Sequence, residues 1–112
     1  MALPIAVLMK FGKTPDVVGR YRLSKAAEED LIDIALFGDE RFGIAQSNRY
    51  RDQLKQRFST LAEQPLLYPA VNHIREGYRR SVCGVHSIFY RIDGKAVEII
   101  RILKNQDQSK QL

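Results

Sequence analysis

The side chains in this sequence that are able to do chemistry form a short list, and most of them fall in its second half. The stretch Ile74-Arg75-Glu76-Gly77-Tyr78-Arg79-Arg80 sets cations beside an aromatic ring. Alternation along a strand puts Tyr78, Arg80 and Val82 on one face, with Arg79 and Ser81 on the other. Such a surface suits an anionic partner, although the same cations also keep a sheet edge soluble. Arg101 shares a strand face with Val97, Ile99 and Leu103, so its charge must be paired or presented to something. Lys104 falls at the end of that strand, on the opposite face. His86 shares a face with Ile88, Tyr90 and Ile92, which favours a hydrogen-bonded structural histidine over a catalytic one. Cys83 precedes a glycine and reads as a small turn residue rather than an activated thiol.

Other chemistries find little support. His73 and Glu76 are three apart, but a zinc site needs three or four ligands, and nothing joins them. No Gly-rich phosphate loop, dinucleotide fingerprint or nucleophile elbow occurs. We therefore expect no metal, no cofactor and no catalytic residue. The carboxylates Glu28, Glu29, Asp30, Asp33 and Asp39 read as solvated or cap charges.

The elements that must position these residues follow from periodicity. A brief strand, Tyr21-Arg22-Leu23, stops at Ser24, a good helix N-cap followed by acidic residues that suit the positive end of a helix dipole. Ala27, Leu31, Ile34, Ala35 and Phe42 recur at mostly helical spacing, and Gly43 ends that helix. A second helix carries Tyr50, Leu54, Phe58, Leu61 and Ala62 as its stripe and stops before Pro65. Two helices joined by one glycine-containing link form an antiparallel hairpin. Then the period shifts to two. Tyr78–Val82, Val85–Ile92 and Val97–Leu103 read as strands, with Cys83-Gly84 and Asp93-Gly94 marking turns. The expected order is β-α-α-β-β-β, an α+β domain with an antiparallel sheet packed on the helical hairpin. Residues 1–20 read as an N-terminal extension, 21–104 as the domain and 105–112 as a polar tail.

Composition narrows the setting. The chain has 112 residues, enough for one core. Its net charge of +5 comes from 18 Lys and Arg against 13 Asp and Glu. Eleven of the cations are Arg, whose fork suits carboxylate or phosphate. Residues 1–64 carry ten basic and nine acidic groups, net +1, while residues 65–112 carry eight and four, net +4. The positive field therefore sits in the second half. A single cysteine excludes an internal disulfide and fits a reducing, cytoplasmic protein. The apolar run Ala2 to Met9 is too short to span a membrane and lacks the flanks of a signal peptide.

The same residues carry a family likeness. The order Ser24-x-Ala26-Ala27-x-x-Asp30-Leu31-x-x-Ile34, Arg41-Phe42-Gly43-x-x-Gln46 and Leu61-Ala62-Glu63-x-Pro65 resembles the ParE toxins of type II toxin–antitoxin systems. Ile74-Arg75-x-Gly77-Tyr78-Arg79, Gly84-x-His86-x-Ile88-Phe89-Tyr90-Arg91 and Ile99-x-Arg101-Ile102-Leu103 extend the resemblance. It implies a plasmid-stabilising toxin that inhibits DNA gyrase by binding. A ParD-type antitoxin would neutralise it and contact DNA on behalf of the pair. On that view Tyr78, Arg79, Arg80, Arg101 and Lys104 bind the target. Leu36, Phe37, Arg49, Tyr50 and Arg57 bind an acidic, amphipathic antitoxin tail in a groove along the helices. Two departures stand out: Lys104 replaces the His common after the final Ile-Leu, and Asp107 lies in a Gln-rich tail. The wider superfamily also contains RelE ribonucleases. A ribosome-dependent mRNA endoribonuclease and a non-toxic antitoxin-binding relative thus remain as alternatives.

Overall fold

A computed structural model describes residues 20–105. The extension assigned to residues 1–20, apart from Arg20, and the tail from 106, with Asp107, lie outside the described residues. The elements are β1 (Arg20–Leu23), α1 (Lys25–Phe42), α2 (Ile44–Glu63), β2 (Tyr78–Cys83), β3 (His86–Asp93) and β4 (Ala96–Lys104). Their order is the expected one. The sheet order is β1-β4-β3-β2, and β1 pairs with β4 in parallel. The sheet is therefore mixed, which corrects the purely antiparallel expectation. Parallel neighbours need a long crossover, and here the helical hairpin and the β2–β3 strands together supply it.

Local chemistry sets the boundaries. The Ser24 hydroxyl accepts a hydrogen bond from the Ala27 N–H at 3.0 Å and starts α1. Gly43, at φ 88°, ends it and starts α2 in a single residue. That tight link forces the helices back along each other. Where they cross, a Cβ on Gly38 would lie 2.6 Å from the Ser47 hydroxyl, so any larger residue would force Ser47 to shift. Both strand hairpins have two-residue loops, Gly84-Val85 and Gly94-Lys95, one residue later than the sequence motifs indicated. Each loop glycine has φ near +60° and the next residue does not share it, the type II′ pattern.

Ala27 and Leu31 of α1 and Leu54, Phe58 and Leu61 of α2 pack on Ile88, Tyr90, Val97, Ile99 and Ile102 of the sheet. Each large apolar side chain buried there stabilises the fold by about 1.5–3 kcal/mol. Phe42 departs from the expected stripe and is 55% exposed. The stripe ends one turn earlier, where Gly38 rather than a large side chain meets α2. A second cluster forms on the other face of the sheet, where Val71 and Ile74 of the segment after α2 cover Phe89 and Leu103. That segment bonds to β2 through Arg80 N–H to Pro69 C=O at 3.1 Å and Val71 N–H to Tyr78 C=O at 2.8 Å. It thereby closes an edge that would otherwise be open.

The strand β4 is bulged. Phe89 faces Arg101 while Tyr90 faces Ile99, which leaves Ile100 unmatched. The extra residue inverts the alternation beyond it: Val97 and Ile99 share the helix-side core with Ile102, whereas Leu103 joins the opposite cluster. Arg101 therefore does not share one apolar face with Val97, Ile99 and Leu103. Past Ile99, β4 has no β1 neighbour, and side chains near the start of α1 take the place of a strand. The Ser24 hydroxyl donates to Ile100 C=O at 2.7 Å, and Asp30 Oδ2 accepts the Ile102 N–H at 2.9 Å. Asp30 also takes Arg101 Nε at 2.7 Å and Nη2 at 2.9 Å. It is a structural partner, not a solvated cap charge. Replacing one member of such a largely buried pair strands the other. Asp30→Ala should cost about 3 kcal/mol in urea unfolding, and Asp93→Ala, at the exposed contact with Arg22, distinctly less. Equal losses would contradict this.

Candidate functional site

Because β1 stops at Leu23, the far end of β4 has β3 on one side and no strand on the other, and a cavity of about 690 Å³ opens there between the sheet and the helices. Ile34, Phe37 and Phe42 of α1 line one wall, and Val85, His86, Ile102 and Leu103 line the opposite one. Asp30 and Asp33 stand at one side and Lys104 at another. Its lining is unusually apolar for solvent contact: Phe37 is 46% exposed, Phe42 55% and Val85 63%. Exposed apolar patches of this kind mark places where another chain docks.

Tyr50 closes the floor of the cavity. Its hydroxyl lies 2.6 Å from His86 Nδ1, 3.2 Å from the Cys83 carbonyl and 3.2 Å from the Val85 N–H. One phenolic proton satisfies all three contacts when Tyr50 donates to Cys83 and accepts from Val85 and from a neutral His86 protonated at Nδ1. The turn must come very close to make this possible. A Cβ on Gly84 would lie 2.6 Å from the Tyr50 ring. Burial raises the Tyr50 hydroxyl above its ordinary pKa, and burial likewise raises the Cys83 thiol. Burial, and after it the charge of Lys104, pushes His86 below the ordinary imidazole range, against a weaker pull from Asp30. All three groups are therefore neutral at pH 7.

The five residues expected to meet the antitoxin divide by role. Leu36 and Phe37 are exposed, and Phe37 and Tyr50 line the cavity. Arg49 is exposed beside Tyr50, along a shallower trough that α2 contributes. Arg57 also borders the trough but is engaged within the fold. Its Nη1 donates to Ser81 Oγ at 2.7 Å and to Val82 C=O at 2.8 Å, and its guanidinium lies over Tyr68 at 5.4 Å. It pins α2 to β2. Arg51, which the sequence did not single out, is buried and bonded to Asp39, Ser47 and Asn48. An arginine at the centre of a helix gives no sign that it is buried.

The five expected target residues do not form one patch. In register, Tyr78 faces Arg91, whereas Lys104 faces His86 at the other end of β3. Arg101 is held by Asp30, and Arg79 Nη1 donates to Tyr68 C=O at 2.7 Å. Tyr78 packs on the Val71 cluster under the Arg75 guanidinium, 5.8 Å away. Arg80 follows it on the same face, in register with Phe89, and its guanidinium makes no ion pair among the described residues. Lys104 Nζ sits 4.8 Å from the centre of the Phe37 ring, at the cavity mouth. Residues assigned to the target and to the antitoxin thus touch at Lys104 and Phe37. His73 and Glu76 are exposed on the segment before β2.

Comparison with known proteins follows the same residues. The family model for the ParE toxin of type II toxin-antitoxin system, parDE, matches residues 21–108. Toxin ParE1 of Caulobacter vibrioides is 41% identical over 83 residues, 74% of this chain and 85% of that protein. Toxin ParE1 of Mycobacterium tuberculosis is 34% identical over 85 residues, 75% of this chain and 87% of that protein. A solved structure described as the chromosomal ParDE TA system from P. aeruginosa superposes with a TM-score of 0.68 at 17% identity, covering 78% of this chain and 96% of that one. At that identity the likeness speaks to the fold.

The state of His86 has a measurable consequence. Its folded pKa is depressed, so the unfolded chain binds a proton that the native one refuses. The stability it contributes is complete above the unfolded value near 6.5 and is lost as pH falls below it. Urea midpoints should drop between pH 7.5 and 5.5, and His86→Gln should flatten that slope. An unchanged slope in the variant would place the pH sensitivity elsewhere.

Proposed function

This chain belongs to the ParE toxin family of type II toxin–antitoxin systems, and from that premise we propose that it inhibits DNA gyrase by binding, without catalysis. A ParD-type antitoxin neutralises it by laying an acidic, amphipathic segment into the groove between the helices and the end of β4. The antitoxin also carries the DNA contact of the pair, and the toxin acts in the cytoplasm.

The observation that supports a non-catalytic reading is where the polar groups are spent. Cleavage of RNA needs a proton acceptor at the attacking 2′-hydroxyl and cations gathered around one phosphate. Here Arg79 is bonded to Tyr68, Arg101 to Asp30, and His86 to Tyr50. Lys104 rests on Phe37, far along the sheet from Tyr78. Tyr78 and Arg80 remain for target contact, with Arg79 and Arg101 holding the surface in shape. Among the described residues no helix is long and apolar enough to cross a membrane.

Purified protein added to gyrase and relaxed plasmid should block supercoiling or trap cleaved DNA. Arg80→Ala should weaken the effect about tenfold at unchanged melting temperature, the scale of one good charged contact. Ribosome-dependent cuts in mRNA with gyrase untouched would assign the protein to the ribonucleases instead. No effect on either, with antitoxin binding intact, would mark a non-toxic relative.

A further inference from the structure

We infer that Lys104 is the residue that reads the antitoxin. A carboxylate of the bound segment pairs with its ammonium while a bulky apolar side chain of the same segment, one helical turn away, fills the cavity against Phe37. The inference rests on the antitoxin reading above and gives the groove its specificity. Lys104 is exposed at the cavity mouth, and Nζ lies 4.8 Å from the Phe37 ring. Its weak cation–π contact leaves the ammonium's hydrogens available to an acceptor. Neither cation expected to anchor an acidic tail does so from this cavity. Arg57 is committed to Ser81 and Val82, and Arg49 lies outside the cavity.

The spacing follows from the structure. An ammonium 4.8 Å from an aromatic wall presents charge and apolar surface within one short reach. On a helical partner, residues three or four apart lie about 5–6 Å from each other at Cβ. An acidic residue and a large apolar one at that spacing therefore reach Lys104 and the Phe37 wall together. Charge complementarity selects and orients the partner: Asp30 is offset by Arg101, and the partner's carboxylate sits on the Lys104 side, away from Asp33. A second copy of this chain is unsuited because it carries a net charge of +5 itself. Pairing also removes the Lys104 charge from any anionic target.

The test measures affinity of the whole toxin for its ParD-type antitoxin by titration calorimetry at low and moderate salt. Lys104→Met should weaken binding about fivefold at low salt and reduce its salt dependence, the size expected of one partly exposed ion pair. Lys104→Arg should restore both, and Phe37→Ala should weaken binding at every salt concentration. Lys104→Met that binds like the parent with the same salt dependence overturns the inference while leaving the antitoxin reading in place. If Phe37→Ala abolishes a concentration-dependent self-association of the free toxin, the groove takes a second copy and the inference is wrong. Failure of the unmodified toxin to bind any ParD-type antitoxin overturns the antitoxin reading itself.

Discussion

The carboxylate of Asp30 holds together parts of the chain that nothing else would bring into register. It accepts two hydrogen bonds from Arg101 and one from the Ile102 N–H, across 71 and 72 residues of sequence. β1 is only four residues long because Ser24 must begin α1, so β4 runs on beyond its neighbour with an exposed edge. An unpaired backbone N–H at a buried strand edge costs about as much as a lost hydrogen bond. A side chain of the first helical turns supplies what a longer strand would have supplied. The same economy leaves room, since a longer β1 would run along the flank of β4 where Ser24 and Asp30 now bond. A short strand, a helix-borne edge cap and an apolar groove are three consequences of one boundary.

Much of the fold was legible because local chemistry decides it. Ser24, Gly43 and Pro65 limit the helices, and two glycines close the strand hairpins wherever the exact register falls. What was illegible is non-local or unmarked. Nothing in Tyr21-Arg22-Leu23 says that its partner is β4 rather than β2, and the parallel pairing follows from that choice. The bulge is hidden in Ile99-Ile100-Arg101-Ile102-Leu103, where residues of both parities are apolar and no Gly or Pro signals an insertion. Phe42 fitted a helical period that the close crossing at Gly38 ends one turn early.

The site was legible by residue type and not by partner. Tyr78, Arg79, Arg80, Arg101 and Lys104 looked alike as cations and aromatics on strands, yet the fold separates them by register. An arginine side chain is long enough to reach several candidate acceptors, and sequence does not say which it finds. Arg57, Arg79 and Arg101 each found one within the chain. The groove had no sequence signature because its walls come from α1, α2 and the ends of β3 and β4.

Counting charge therefore overstated what the second half offers to a partner. Arg91 is offset by Glu98, and Arg101 by Asp30 from the first half. What the groove presents is mainly apolar surface, with Lys104 at its mouth and Asp33 at another side, and the apolar and charged contributions differ in magnitude. Filling an apolar site with a leucine-sized side chain yields about 1.5–3 kcal/mol. A surface ion pair yields about 0–1 kcal/mol and is weakened by salt. Most affinity for a partner in this groove must come from apolar burial, which discriminates poorly among amphipathic helices. Discrimination falls to the charges, because a carboxylate opposite Lys104 is paired while one opposite Asp33 is repelled. A weak contact can set identity where the strong one cannot.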